Sequence, residues 1–319
     1  MRDLIIGIDG GGTKTNYMAV DIQTGDIVST SSSGSIHVFT MGEETALQNL
    51  ESGFCGLHPN DEDRVIAISI GDPAIDDCED DALVTPLTAA AVHFYKYAKV
   101  FTKGDVFMAM YSFSGGEPGA FLVSGTGSMG VAMTEPYHHG GVNRCLNVGG
   151  WALPTSDPGS GYDIALQGIQ AAFHAFDGVG EETELTGALL TFGKAETPRD
   201  LIPIFNDGNL TRGEIAQFAK QVAACADHGD AVSISILEAA GRILAKYAIR
   251  LMQCLPQPRI GIYGSVLLHN SIVYRIFEAE VLAVIPDAQI VRPARPPEYG
   301  AVMFAADALH IDRRQWTWK

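Results

Sequence analysis

The sequence predicts an α/β protein of two domains that share one design. At 319 residues, the chain is longer than a single hydrophobic core usually fills. A meander of short strands with a glycine-rich hairpin opens the chain and occurs again from about residue 119. We therefore expect one domain over residues 1–115 and a second over residues 116–319, with the last helix able to pack back on the first domain.

Each element of the first half follows from a local pattern. Apolar runs predict strands, and the polar composition of residues 31–35 predicts a loop. Leu47, Leu50 and Phe54 recur at helical spacing, so residues 41–57 are expected to form an amphipathic helix. The expected strands are residues 4–9, 15–21, 26–30, 65–70 and 98–102, and further helices cover residues 86–96 and the segment from Asp105.

The second half repeats the meander and then becomes mostly helical. Thr211 with Glu214 forms a capping-box pattern at the start of one expected helix. A strand from Arg259 leads into a glycine turn at Gly264. The expected strands of the second meander are residues 119–124, 129–134 and 142–148, and the expected helices are residues 163–176, 211–226, 231–254, 269–280 and a last one opening at residues 296–302.

The first glycine-rich hairpin is expected to bind phosphate. An isoleucine-rich strand ends at Asp9, and residues 9–15 read DGGGTKT. Glycine lacks a Cβ, so this backbone can adopt positive φ, approach an oxyanion and offer it several N–H groups. Asp9 stands where a cation accompanying the phosphates would lie. A P-loop is excluded because Thr13 precedes Lys14 and a strand-like segment, not a helix, follows.

The second glycine-rich hairpin has an alternative interpretation. Residues 125–130 read GTGSMG after a strand, which matches the dinucleotide fingerprint G-x-G-x-x-G. The continuation, residues 131–136, is too short and ends in proline, so it lacks the helix that a dinucleotide site requires. Two phosphate-binding hairpins, one from each half, remain.

Asp105 lies between an expected strand and an expected helix. Ligands collect at the carboxyl ends of strands in open α/β sheets. The first turn of a helix also favours a carboxylate. Asp105 is therefore a candidate for chemistry, and an ordinary helix N-cap is its structural alternative.

Charge and cysteine content limit the classes of function. The formal net charge of −17, from 21 basic and 38 acidic residues, argues against nucleic acid and anionic membranes as partners. ATP would need Mg²⁺ and local N–H groups to bind such a protein. Five cysteines without a C-x-x-C pair predict free thiols. No apolar segment is long enough to cross a bilayer, and we expect a soluble, cytoplasmic protein.

Taken in order along the chain, these motifs resemble one family. The chain is similar to the N-acetylglucosamine kinase branch of the BadF/BadG/BcrA/BcrD ATPase family, in the actin/hexokinase-like superfamily. The resemblance implies two ribonuclease-H-like domains with a nucleotide cleft between them. It rests on residues 9–15, 104–105, 124–128 (SGTGS), 149–151 (GGW), 157–162 (DPGSGY), 262–265 (IYGS) and 299–301 (YGA).

The resemblance also implies an activity and roles for residues. It implies an ATP-dependent kinase of an amino sugar, with N-acetylglucosamine, converted to its 6-phosphate, as the first candidate acceptor, and a homodimer. Asp105 would be the general base, kept ionised by its helix N-terminus, and Asp9 would orient Mg²⁺ or its waters. The implied nucleotide contacts are Gly11, Gly12, Thr13, Lys14, Thr126, Gly127, Ser128 and Gly264, and the implied sugar contacts are His37, Asp105, Gly150, Trp151 and Asp157.

The chain departs from the family pattern mainly on the sugar side. His37 stands where the family has an asparagine, and Ser156 and Pro158 flank Asp157 in place of glycine and glutamate. On the nucleotide side, Ser265 replaces a second glycine.

Several alternatives stay open at this point. Glucosamine or N-acetylmuramate could be the acceptor. An ATPase that activates a dehydratase is disfavoured, because residues 122–124 (LVS) lack the cysteine that the sister branch carries there. A sugar-responsive repressor would need a helix-turn-helix, for which the sequence before Asp9 is too short.

Individual candidates also have structural interpretations. His37 could be a buried structural histidine, Asp157 a turn residue, and Lys14 a solvent-facing side chain of a strand. His138 and His139 with Cys145 lack a fourth zinc ligand at suitable spacing, so a surface turn is favoured there. Trp316 and Trp318 are expected to pack the C-terminal tail onto the body of the protein.

Overall fold

The computed structural model describes residues 1–57, 60, 62–75, 85–139, 145–151, 157–206 and 210–316. Within these ranges, none of the helices combines the length and apolar character that crossing a bilayer would need.

The first half forms a five-stranded mixed sheet. Strands β1 (Asp3–Gly10), β2 (Lys14–Asp21) and β3 (Ile27–Gly34) are an antiparallel meander. Strands β4 (Arg64–Asp72) and β5 (Lys99–Gly104) continue the sheet parallel to β1, giving the order β3-β2-β1-β4-β5. The helices of this half are α1 (Val38–Met41), α2 (Glu43–Leu57), α3 (Pro86–Phe94) and α4 (Asp105–Ser114).

The second half forms a sheet of the same topology. Its meander is β6 (Gly119–Ser124), β7 (Ser128–Met133) and β8 (Cys145–Gly149), and β9 (Arg259–Tyr263) and β10 (Gln289–Val291) run parallel to β6. The order β10-β9-β6-β7-β8 mirrors that of the first sheet. The repeated design predicted from the two glycine-rich meanders, and with it the two-sheet α/β fold class, is confirmed.

Helices cover the outer face of the second sheet. The longest is α10 (Ala231–Met252), which buries Leu237, Leu244 and Leu251 on one stripe. The other helical segments of the second half are α5 (Gly161–Phe176), α6 (Leu185–Gly193), a 3₁₀ turn (Pro198–Leu201), α7 (Ile202–Asn206), α8 (Arg212–Ala216), α9 (Ala219–Asp227), α11 (Ser265–His269) and α12 (Ser271–Val284). The last helix, α13 (Pro297–Ala308), packs away from this face, against the first sheet.

A shared layer of helices lies between the two sheets. Helices α4 and α13 contribute side chains to one core with Ile5 and Val20 of the first sheet and Phe121 of the second. A Cβ on Gly300 of α13 would meet the Met108 carbonyl oxygen of α4, so the two helices are in backbone contact. Helix α13 therefore packs on α4 and on the first sheet.

Three predicted elements were wrong in extent. The polar segment after residue 30 is not a loop, because β3 continues to Gly34. Within this strand, Ser31 Oγ donates to the Gly53 carbonyl 2.6 Å away. The segment 211–226 forms two helices, α8 and α9, and not one. In place of the single helix predicted over residues 269–280, the structure has α11 and α12. Asn270 separates them, because its side chain caps α12 by accepting from the Val273 N–H.

The C-terminal segment packs as expected. Trp316 donates from Nε1 to the Ile22 carbonyl at 3.0 Å. Trp318 and residues 142–144 of the expected strand lie outside the described residues.

Candidate active site

The first glycine loop, residues 9–15, joins β1 to β2 and leaves open space beside it. The Gly11 N–H donates to the Lys14 carbonyl at 3.0 Å, which makes the turn tight. A Cβ on Gly10 would meet the Gly71 carbonyl oxygen, and one on Gly11 would lie 2.7 Å from the Lys14 carbonyl oxygen. At Gly12, nothing lies within 4 Å of that position.

This geometry corrects one expectation. None of the three glycines has a positive φ. Close backbone approach, and not left-handed conformation, requires glycine at positions 10 and 11.

The second glycine loop, residues 124–128, is fixed by the segment that follows β8. The Gly161 N–H donates to the Gly125 carbonyl at 2.7 Å, and Ser124 Oγ donates to the Gly159 carbonyl at 2.9 Å. Gly264, at φ +93°, packs against Ser124 so closely that a Cβ would meet its carbonyl oxygen. The turn at Gly264, an implied nucleotide contact, and the predicted second phosphate loop are thus neighbours.

Three carboxylates lie at the carboxyl ends of neighbouring parallel strands. Asp9 on β1 pairs with Gly71 on β4, and Asp72 pairs with Gly104 on β5, directly before Asp105. A Cβ on Gly71 would lie 3.2 Å from the Asp105 Cα. The sheet register therefore brings Asp9, Asp72 and Asp105 to one edge beside the first glycine loop.

Asp105 is the first residue of α4, and Gly104 is the N-cap. The Oδ1 atom of Asp105 accepts from the Val106 N–H at 2.8 Å. Burial raises the pKa of Asp105 from 3.8 to about 6, and the charge of Asp72 adds to the increase. Desolvation outweighs the Val106 N–H bond, so the helix N-terminus alone does not set the pKa of Asp105. A pKa near 6 suits a general base at neutral pH.

Asp9 and Glu298 form the part of the site that fits a cation. Burial raises the pKa of Asp9 well above its ordinary value, and repulsion by Asp105 and Glu298 adds to this. Burial also raises the pKa of Glu298, whose Oε2 is buried without a hydrogen-bond partner among the described residues. Oxygen donors and crowded negative charge suit Mg²⁺, which is held by few carboxylates and keeps several waters. In the described ranges no three acidic, histidine or cysteine side chains form a complete metal cage.

The predicted sugar residues come from both halves of the chain. Ser35 Oγ donates to the Gly11 carbonyl at 2.8 Å and accepts from the His37 N–H at 3.1 Å, so His37 is tied to the first loop. His37 Nδ1 is buried and has no partner among the described residues. Burial lowers the pKa of His37, and the nearby charge of Arg212 lowers it further, which favours the neutral ring.

Both carboxylate oxygens of Asp157 are engaged at the second glycine loop. Asp157 is buried at φ +73°, and its Oδ1 accepts from the Ser128 N–H at 3.2 Å. Its Oδ2 pairs with Arg212. Gly150, with φ +73°, precedes the exposed Trp151, and residues 152–156, including Ser156, lie outside the described residues.

Sequence reasoning missed three residues of this site. Asp72 was visible only as the end of a strand, and Glu298 only as part of a helix start. Arg212 followed a recognised N-cap, Thr211, but nothing in its neighbourhood linked it to a loop more than eighty residues away. These assignments need the sheet register and the packing of the two halves.

The chain is similar to curated kinases of amino sugars along nearly its whole length. The chain is 28% identical over 308 residues to the N-acetylmuramic acid/N-acetylglucosamine kinase of Clostridium acetobutylicum, covering 94% of this chain and 97% of that one. It is 28% identical over 311 residues to the glucosamine kinase GspK of Vibrio cholerae, covering 96% of each.

A solved structure shares the fold. The protein from Chromobacterium violaceum, provisionally assigned as an N-acetylglucosamine kinase, superposes with a TM-score of 0.67 at 22% identity, over 95% of this chain and 98% of that one. The sequence profile of the BadF/BadG/BcrA/BcrD ATPase family matches residues 6–305, which is most of the chain. The chain therefore belongs to the BadF/BadG/BcrA/BcrD ATPase family, as the order of its glycine loops predicts.

Proposed function

We propose that this chain is an ATP-dependent kinase that phosphorylates an amino sugar, with Asp105 as the general base. The observation that carries the proposal is the position of Asp105, at the carboxyl edge of the first sheet beside the loop formed by residues 9–15. The named activities of the two relatives, both kinases of amino sugars, support the same reaction class.

Residues of the site have a proposed role at each part of the reaction. Phosphates need hydrogen-bond donors, and the residues proposed to contact them are Gly11, Gly12, Thr13 and Lys14 of the first glycine loop and Thr126, Gly127 and Ser128 of the second. The N–H groups of Gly11 and Ser128 already donate to the Lys14 carbonyl and to Asp157, so N–H donors to phosphate would come from other residues of the loops. Gly264 would lie against the adenosine. The acceptor hydroxyl needs a base, and Asp105 would take its proton as the oxygen attacks the γ-phosphorus. A neutral His37, Gly150, Trp151 and Asp157 would contact the sugar.

Asp9 and Glu298 would hold Mg²⁺ directly or through its waters. The ion, when bound, neutralises charge on the β- and γ-phosphates. Its presence would also relieve the repulsion between these two buried carboxylates. We expect ATP use to require Mg²⁺ and to stop when the ion is chelated.

We propose N-acetylglucosamine, converted to its 6-phosphate, as the first candidate acceptor. Glucosamine and N-acetylmuramate are the alternatives, because the relatives' names include both. The test measures ADP release with Mg-ATP and each of the three sugars, with glucose as the control acceptor. We expect release that depends on an amino sugar and on Mg²⁺. ADP release that no sugar raises above its background would contradict the kinase proposal.

The pH dependence of turnover should report on Asp105. The base acts only when ionised, so kcat/KM for the sugar is expected to rise about tenfold per pH unit below about pH 6 and to level off above it. The measurement is kcat/KM from pH 5 to 8.5 at saturating Mg-ATP. A profile that is already flat at pH 5 would assign the base to another group.

The remaining expectations stay predictions. We propose that residues 1–115 and 116–319 act as domains that close over the nucleotide and exclude water. A homodimer and a cytoplasmic location follow from the family resemblance. Cys55, Cys225 and Cys254 have free thiols, and Cys78 lies outside the described residues.

A further inference from the structure

Arg212 lies in contact with the second glycine loop. A Cβ on Gly127 would be 2.6 Å from Arg212 Nη2, so the guanidinium group covers this turn of the loop. The group pairs with Asp157, which itself accepts from the Ser128 N–H, and lies 5.8 Å from the ring centroid of Tyr162. Arg212 is thus fixed by groups that shape the loop.

The same residue also lies close to the first half of the protein. A Cβ on Gly213, the next residue, would be 3.0 Å from Thr13 Cγ2 in the first glycine loop. The charge of Arg212 lowers the pKa of His37, which is tied to that loop through Ser35. The guanidinium group therefore stands where the two glycine loops approach each other.

The environment leaves part of this cation available. One third of the Arg212 side chain is exposed. Nε is buried and has no hydrogen-bond partner among the described residues. The ion pair with Asp157 engages Nη2, so the other N–H donors of the guanidinium group remain for a ligand. The chain has a net charge of −17, so its overall charge repels anionic phosphates. A cation between the two glycine loops offsets this repulsion locally.

We propose that Arg212 is a catalytic residue that binds the transferring phosphoryl group. This inference rests on the kinase activity proposed above. As the acceptor oxygen bonds to the γ-phosphorus, its proton passes to Asp105, the bond from the γ-phosphorus to the β–γ bridging oxygen breaks, and ADP leaves with that oxygen. Negative charge grows on the oxygens between the loops during this step. A planar guanidinium fork can donate two hydrogen bonds to such oxygens.

A structural role makes a different prediction. If Arg212 only anchors α8 through Asp157, its loss should lower stability and nucleotide affinity together. A catalytic role predicts a selective loss in kcat, because the interaction strengthens in the transition state. Lysine should replace the charge but not the fork, so Arg212→Lys should stay impaired.

The test compares Arg212→Ala, Arg212→Lys and the parent protein. Arg242→Ala is the matched control, because Arg242 forms an exposed pair with Glu238 on α10. We measure kcat and KM with Mg-ATP and the best amino sugar, the Kd of Mg-ADP, the melting temperature, and rescue by about 50 mM guanidinium chloride.

The expected result is a loss of kcat of about 10²- to 10³-fold in Arg212→Ala. The kcat of Arg212→Lys should fall at least about tenfold. In both Arg212 variants, the Kd of Mg-ADP should change less than about threefold. Added guanidinium should raise the kcat of Arg212→Ala at least about tenfold and leave the kcat of Arg242→Ala unchanged.

Two results would overturn the inference. One is a kcat of Arg212→Ala within about threefold of the parent; the other is a loss of kcat that follows the melting temperature and resists guanidinium. A parent protein without sugar-dependent ADP release would overturn the proposed function itself, and the role of Arg212 with it.

Discussion

Replacing Asp105 with asparagine is expected to lower kcat by about 10²- to 10⁴-fold, with a much smaller change in the KM for ATP. Asparagine keeps the shape of the side chain and can still accept from the Val106 N–H, but it cannot take a proton. The measurement is steady-state ADP release with the preferred amino sugar. Retention of more than about a tenth of the parent kcat would show that another group acts as the base.

Stability measurements show whether Asp105→Asn is a clean variant. The pKa of Asp105 in the folded protein lies above its ordinary value, so ionisation costs stability above about pH 6, and this cost disappears below about pH 4. The variant should therefore be as stable as the parent at pH 7.5, or more stable by up to about 2 kcal/mol. Asp177→Asn, at the exposed far end of α5, is the matched control and should change neither activity nor stability.

Replacing Gly300 with alanine is expected to destabilise the protein by about 3 kcal/mol or more. The added Cβ would meet the backbone of α4 at the Met108 carbonyl oxygen and lie 2.6 Å from the Ser112 nitrogen. Backbone cannot rotate away as a side chain can, so α13 and α4 would have to separate within the core between the sheets. The measurement is the midpoint of urea unfolding with its m-value.

Gly187→Ala is the control for this substitution. Gly187 is an exposed residue of α6, and nothing lies within 4 Å of its added Cβ. Alanine should be neutral there or stabilise by up to about 1 kcal/mol through helix propensity. Equal unfolding midpoints for the two variants would contradict the close packing of α13 on α4.

The sequence predicts best where one local rule decides the structure. The two glycine loops could be predicted because several glycines between two strand patterns favour a tight hairpin, and their equal topology follows from the repeated meander. The same local reasoning was wrong for the serines of β3. Residues 31–34 look like a loop by composition, but their hydroxyls bond to Gly53 and to Tyr17 of neighbouring elements.

The site itself depends on contacts that span the chain. Asp105 could be found because it follows a strand and opens a helix. Asp72 reaches the site only through the pairing register of β4 and β5. Glu298 reaches it because α13 packs back on the first half, and Arg212 reaches it because the two halves meet. The pKa of Asp105 also depends on burial by the whole cleft, which overrides the local preference of the helix terminus.

Phosphorus-31 NMR of the complete reaction shows where the γ-phosphoryl group of ATP goes. With Mg-ATP and an amino sugar, we expect the γ-phosphoryl signal to move into a sugar phosphomonoester as ADP forms in equal amount. The same sample with Asp105→Asn should show almost no transfer. Conversion of ATP to inorganic phosphate at one rate, with or without sugar, would rule out the proposed kinase and favour an ATPase that drives another protein.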